Sequence, residues 1–125
     1  MEFINLQDQA NASGHYSPGV RCGNTLYIAG QLSIDPATGK KPEGGFQEEV
    51  RQALRNVESV LRSAGFAKEN VAMCRVYILG KELWPQFNEV YMEFFKEHKP
   101  ARIVVPVAEL NAGCMVEIEA VASIE

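Results

Sequence analysis

The 125-residue sequence predicts a two-layer α+β domain, a mixed β-sheet with two helices packed on one face. Three observations carry that prediction. Two segments have apolar residues spaced by three and four, the pattern of one helix face. Strand-like runs rich in Val, Ile and Tyr lie before, between and after them. The segments follow in the order β-β-α-β-α-β-β, which two helices covering one side of a sheet satisfy. The length suits one domain, residues 1–125, with a real core.

In chain order, Phe3, Ile4 and Leu6 could add a short strand to a mostly polar start. Gly14-His15-Tyr16-Ser17-Pro18-Gly19 is a run of turn formers around one tyrosine. Val20–Cys22 and Thr25–Ala29 flank Gly23-Asn24, a pair suited to a two-residue hairpin turn, and the second strand runs out at Gly30-Gln31-Leu32. Asp35-Pro36-Ala37-Thr38-Gly39 is a turn, followed by a flexible polar lead-in to Gly45.

The first helix is marked by Phe46, Val50, Leu54, Val57 and Leu61, with Gln47, Glu48, Glu49 and Arg51 as polar positions between them. Its early acids suit an N-terminus, and Gly65 is its stop. Asn70–Leu79 is apolar on both faces, as in a strand covered on both sides. The second helix spans Glu82–Glu97, with Pro85 in its first turn and Leu83, Phe87, Val90, Tyr91 and Phe94 as its buried stripe.

Two closing strands, Pro100–Val107 and Met115–Ala122, hold the chemical interest. Strand side chains alternate between faces. Ile103, Val105 and Val107 therefore share one face, and Arg102 and Val104 the other. Cys114, Val116, Ile118 and Ala120 oppose Met115, Glu117, Glu119 and Val121. If the apolar faces line the core, Arg102 and both glutamates point away from it together. The sheet face away from the helices would then expose Val104, Met115, Val121 and half of the strand in the 70s. An apolar patch of that kind marks an interaction surface, with Arg102 and Glu117 at a subunit boundary.

Arg102 calls for an anionic partner, since a guanidinium cannot lose its charge and its planar fork suits a carboxylate. An ion pair with Glu117 or Glu119 and a bound ligand carboxylate both satisfy it. Tyr16 either pins its turn or forms an aromatic wall over a small ligand. His98 suits a helix C-terminus, His15 is a conceivable acid or base, and Asn88 is a polar residue in an aromatic-rich helix.

The formal net charge of −4 argues against nucleic acid or an anionic membrane as partner. Cys22, Cys74 and Cys114 show no disulfide or zinc spacing, and Cys74 and Cys114 read as small buried hydrophobes. Met1–Asp8 lacks the pattern of a signal peptide, and no run approaches the ~18 apolar residues of a membrane helix, so the cytosol is the expected location. No phosphate loop, dinucleotide fingerprint, metal cluster or Ser/His/Asp set is present, and any chemistry is expected to need neither cofactor nor metal.

Pro100-Ala101-Arg102 followed by Glu117-Ile118-Glu119-Ala120 resembles the C-terminal signature of the RidA (YjgF/UK114) family. The resemblance extends to the Gly14–Val20 loop, to Ile28-Ala29-Gly30-Gln31-Leu32 with its following turn, and to Phe87-Asn88-Glu89-Val90-Tyr91 with Phe94-Phe95. It implies a chorismate-mutase-like fold forming a homotrimer around a central β-barrel, with sites between subunits. The implied activity is hydrolysis of reactive 2-imino or enamine acids to 2-oxo acids and ammonia. Alternatives within the resemblance are another imine of the aminomuconate type, endoribonuclease action, and non-catalytic binding of small carboxylates.

Carried over by position, the resemblance assigns Arg102 to the substrate carboxylate, Glu117 to the attacking water, Tyr16 to closing over the ligand, and Gly30 and Asn88 to lining the cleft. Glu119 becomes the structural acid of the two. Ala29 stands in place of the serine usual before Gly-Gln, Val104 in place of a frequent cysteine, Ile103 in place of a small residue and His15 in place of a proline. These departures bear on which imine is the substrate.

Overall fold

The computed structural model describes residues 1–6 and 14–125; the polar run 7–13 lies outside the described residues. Its strands are β1 (Glu2–Ile4), β2 (Gly19–Cys22), β3 (Thr25–Leu32), β4 (Val71–Ile78), β5 (Ala101–Pro106) and β6 (Val116–Ser123). Its helices are α1 (Phe46–Ser63) and α2 (Trp84–Phe95). The six strands form one sheet in the order β1-β2-β3-β6-β4-β5, mixed because β4 and β5 run parallel while every other pair is antiparallel. A parallel pair needs a crossover, and α2 supplies it. The last strand is therefore a central one, inserted between β3 and β4.

The β2–β3 hairpin turns on Gly23, whose φ of 59° only a glycine adopts easily, with Asn24 beside it. Helix α1 ends as its glycine requires. Gly65, at φ 79°, donates to Arg62 O and Phe66 donates to Leu61 O, which satisfies the last free carbonyls. Its stripe of Val50, Leu54, Val57 and Leu61 is fully buried against the sheet. Each such side chain contributes about 1.5–3 kcal/mol. Pro85 sits in the first turn of α2, and Phe87, Val90, Tyr91 and Phe95 face inward. Helix α2 begins two residues later than its pattern predicted, after a short 3₁₀ turn at Lys81–Leu83. His98 bonds its ring nitrogen to Val71 O at 2.7 Å, tying the exit of α2 to the start of β4.

On the helix side lie Leu26 and Ile28 of β3, Cys74, Val76 and Ile78 of β4, and Val116, Ile118, Ala120 and Ala122 of β6, all buried. Cys114 is buried as well, just ahead of β6. In a single copy the other face of the sheet is open, with Ala72 and Arg75 of β4 exposed, so the helices cover β4 on one side only.

Strand β5 turns the opposite way from its expected facing. Val104 is in the core and Ile103 is 48% exposed on the open face. The reason lies in register. Val104 pairs with buried Val76, and Ile103 with exposed Arg75, so the edge strand inherits the facing of β4. Val104 therefore does not belong to the uncovered face, and Arg102 lies on the helix side with it.

Candidate active site

Arg102 pairs in register with Cys74 and reaches back over α2. Its Nη1 donates to Asn88 Oδ1 at 2.9 Å. Its guanidinium carbon lies 5.0 Å from the centre of the Tyr91 ring and 5.7 Å from that of Phe87, both within cation–π range. Asn88, half-buried on α2, is thus the amide that fixes the arginine. No ion pair forms at Arg102 among the described residues.

Beneath it, burial pushes the Cys74 thiol up, and burial followed by the neighbouring Cys74 pushes the Tyr91 hydroxyl far above the ordinary tyrosine range. That hydroxyl has no hydrogen-bond partner of good geometry among the described residues. Both groups are neutral at physiological pH, so Arg102 carries the charge of this cluster. The result is a cation with an exposed fork, steadied from behind by two rings and one amide.

Glu117 is elsewhere. It lies on the open face of β6, paired with Leu32 of β3 and Tyr77 of β4. Strand β4 separates β6 from β5, so Arg102 and the glutamates are neither on neighbouring strands nor on one face. An ion pair of Arg102 with Glu117 or Glu119 is therefore not made. Glu119 has a different partner: Arg75 Nη1 is 3.7 Å from its Oε1, and the Tyr77 hydroxyl donates to the same oxygen at 3.0 Å. Burial, then the charge of Glu119, holds the Glu117 carboxyl above the usual carboxylate range.

Gly30 belongs with Glu117. Between Ile28–Ala120 and Gln31–Ile118 the register slips, leaving Ala29 and Gly30 opposite the single residue Glu119. At this bulge a Cβ on Gly30 would stand 2.7 Å from Glu117 Oε2, so the carboxylate occupies the space that a side chain would take. The loop of Tyr16 is tied to the same bulge, because Ala29 N donates to Pro18 O at 2.9 Å. Tyr16 itself is 58% exposed, and His15 is exposed beside it.

The five site residues expected from sequence thus form two groups: Arg102 with Asn88 on the helix side at one edge, and Gly30 with Glu117 and the Tyr16 loop on the open side. Sequence reasoning missed Phe87 and Tyr91 as the arginine's support, having read them as core alone. Their i, i+4 spacing around Asn88 was the available signal. It also treated Glu49 as an ordinary polar position of α1, although that carboxylate is buried. Among the described residues no three His, Cys, Asp or Glu side chains converge as a metal site requires, and no helix is long and apolar enough to cross a membrane.

The model of the family described as Endoribonuclease L-PSP matches residues 6–124. A RutC family protein of Pyrococcus horikoshii is 39% identical over 121 residues, covering 97% of this chain and 96% of that protein. The human 2-iminobutanoate/2-iminopropanoate deaminase is 40% identical over 119 residues, covering 95% and 87%. Among solved structures, Escherichia coli TdcF with bound serine superposes with a TM-score of 0.93 at 33% identity, covering the whole of both chains.

Proposed function

The chain belongs to the Endoribonuclease L-PSP (RidA/YjgF) family, and from that premise we propose that it hydrolyses reactive 2-imino acids, in equilibrium with their enamines, to 2-oxo acids and ammonia. The observation that carries the proposal is the Arg102 guanidinium, held on two rings and Asn88 and ion-paired with no carboxylate among the described residues. A small carboxylate is the ligand its fork suits. The naming of related proteins as imine deaminases supports the choice of substrate class.

The chemistry asks little beyond placement. Water adds to the imine carbon next to the bound carboxylate, the C–O bond forming as the C=N π bond opens, and one water proton passes through Glu117 to the nitrogen to give the carbinolamine. Glu117 then carries the hydroxyl proton to the nitrogen as the C–N bond breaks, leaving the ketone and ammonia. A carboxyl group held above its ordinary range suits both halves of that exchange. Orienting the two reactants can itself contribute up to about 7–11 kcal/mol. Tyr16 closes over the ligand, Gly30 leaves room beside Glu117, and neither cofactor nor metal takes part. Because Arg102 and Glu117 lie on opposite faces of one chain, a complete site joins the arginine of one copy to the glutamate of another. A homotrimer around the open sheet faces accommodates this arrangement.

The test is 2-oxo acid release from freshly generated 2-iminopropanoate. Arg102→Ala should lower kcat/KM by at least ~10²-fold, because two charge-assisted hydrogen bonds at about 1.5–3 kcal/mol each disappear. Glu117→Gln should lower kcat while leaving pyruvate binding intact. Turnover by Arg102→Ala at the parent's rate would refute the assignment. A second reading, a carboxylate binder without catalysis, has its own support in the Arg102–Asn88 group, which needs no glutamate. Unchanged function in Glu117→Gln would favour it.

A further inference from the structure

Three buried polar side chains of α1 take no part in the chemistry above. Glu49, Gln52 and Asn56, spaced by three and four, form one row along the helix and are all at least nine-tenths buried. Buried polar groups are costly unless bonded, so where their bonds go is informative.

Asn56 Nδ2 donates to Leu32 O at 2.9 Å and to Ile34 O at 2.8 Å. Its own Oδ1 accepts from Gln52 Nε2 at 2.9 Å. Glu49 Oε1 accepts from the Ser33 hydroxyl at 2.7 Å and from Met115 N at 2.9 Å. Lys41 closes the row: its Nζ donates to Gly113 O at 2.9 Å and lies 3.6 Å from Glu49 Oε2.

Apart from the bonds within the row and one that Arg55 Nη2 donates to Gln52 Oε1 at 3.0 Å, these bonds end on a single region. Leu32 is the register partner of Glu117 across the sheet, and Met115 is two residues ahead of it. Ser33 and Ile34 follow directly after the strand whose bulge carries Gly30. The row therefore fastens both strand ends between which the Glu117 carboxylate is placed, and among the described residues it bonds to nothing around Arg102.

We infer that Glu49, Gln52 and Asn56 are positioning residues for Glu117, clamping the β3 exit and the β6 entry so that its carboxylate is fixed over Gly30. This rests on the reading of Glu117 as the group that holds water. A displacement of 1 Å in such a group can cost ~10²-fold in rate. Loss of the clamp therefore acts on kcat and leaves the carboxylate-binding half alone.

The test compares Glu49→Ala, Glu49→Gln, Gln52→Ala and Asn56→Ala with the parent by kinetics on 2-iminopropanoate and by a carbon-13 NMR titration of Glu117. Glu49→Ala and Asn56→Ala should lose ~10–10²-fold in kcat with KM within about twofold. Their Glu117 titration should move down toward the ordinary carboxylate range. Glu49→Gln keeps an acceptor for Ser33 and Met115 and should retain the parent's values, a rescue that mere loss of stability would not give. Gln52→Ala, which removes the amide steadying Asn56 together with an acceptor for Arg55, gives a smaller shift in the same direction and serves where the other alanine variants do not fold. An unchanged Glu117 titration in every folded variant, or a rise in KM with kcat unchanged, overturns the inference. If the parent itself shows no turnover, the proposed activity fails, and the NMR titration alone decides whether the row positions Glu117.

Discussion

Glu117 and Glu119, two residues apart on β6, share the open face and differ in what they touch. Glu119 is held by Tyr77 and Arg75, whereas Glu117 sits over the bulge with its proton affinity raised by burial and by Glu119. The sign of the pH effect follows. A general base works only when deprotonated, so kcat/KM should fall on the acid side with a midpoint above the ordinary carboxylate range. Glu119→Gln removes one of the two causes, and a pH–rate profile of that variant should show its acid limb moved down. A limb that stays in place would mean that Glu119 does not influence the reacting base. Stability responds in the opposite sense. The folded chain holds the Glu117 proton at pH values where the unfolded chain has released it, so this residue's contribution to stability declines as pH rises from the ordinary carboxylate range through the raised value. Arg102 and Glu117 were both legible in the sequence as charges among apolar strand residues. Their separation was not, because strands close in sequence were taken as neighbours in space, and β4 comes between them.

The β3–β6 pair shows how an element can place a group that its own side chains do not hold. The bulge at Ala29-Gly30 interrupts the alternation of β3, after which Gln31 is buried and Leu32 stands opposite Glu117. Nothing in the alternation of residue types announces such a slip; the glycine is its single sequence signal. Gly30 does not have positive φ, so alanine there meets no backbone strain, only the Glu117 carboxylate. That carboxylate is the far end of a flexible side chain and can swing away. Gly30→Ala should therefore keep a thermal midpoint close to the parent's while losing kcat on 2-iminopropanoate by ~10-fold or more. A large fall in the thermal midpoint with unchanged kcat would show that the glycine serves the fold and not the carboxylate. The helices were easier to read, since α1 and its glycine stop obey local rules from end to end. The facing of β5 was harder: all of its residues but Arg102 are apolar, and only pairing with β4 decides which of them are buried.

For the molecule as a whole, the open sheet face is the feature that a single copy leaves unexplained. Across five strands the register aligns Phe3, Val20, Tyr27, Val121 and Met73 in one apolar row, and Phe3 and Tyr27 remain 60% and 51% exposed. An uncovered face was legible from strand patterning, though Val104 was wrongly assigned to it and Ile103 is there instead. Contiguous apolar surface of this kind favours association. Head-to-tail contacts that close a ring would bring the Arg102 edge of one copy toward the Glu117 face of the next. Mixing tests this directly. Arg102→Ala and Glu117→Gln are each expected to be nearly inactive alone on 2-iminopropanoate. Unfolded together and refolded as a one-to-one mixture, they should regain roughly a quarter of the parent's activity, the fraction of two-copy sites that draw an intact arginine and an intact glutamate by chance. Equal amounts refolded separately and then combined without exchange should stay inactive. If light scattering shows mixed oligomers and no activity returns, then each site is completed within one chain, and the opposition of Arg102 and Glu117 across the sheet must be relieved by some movement of β5 rather than by a second copy.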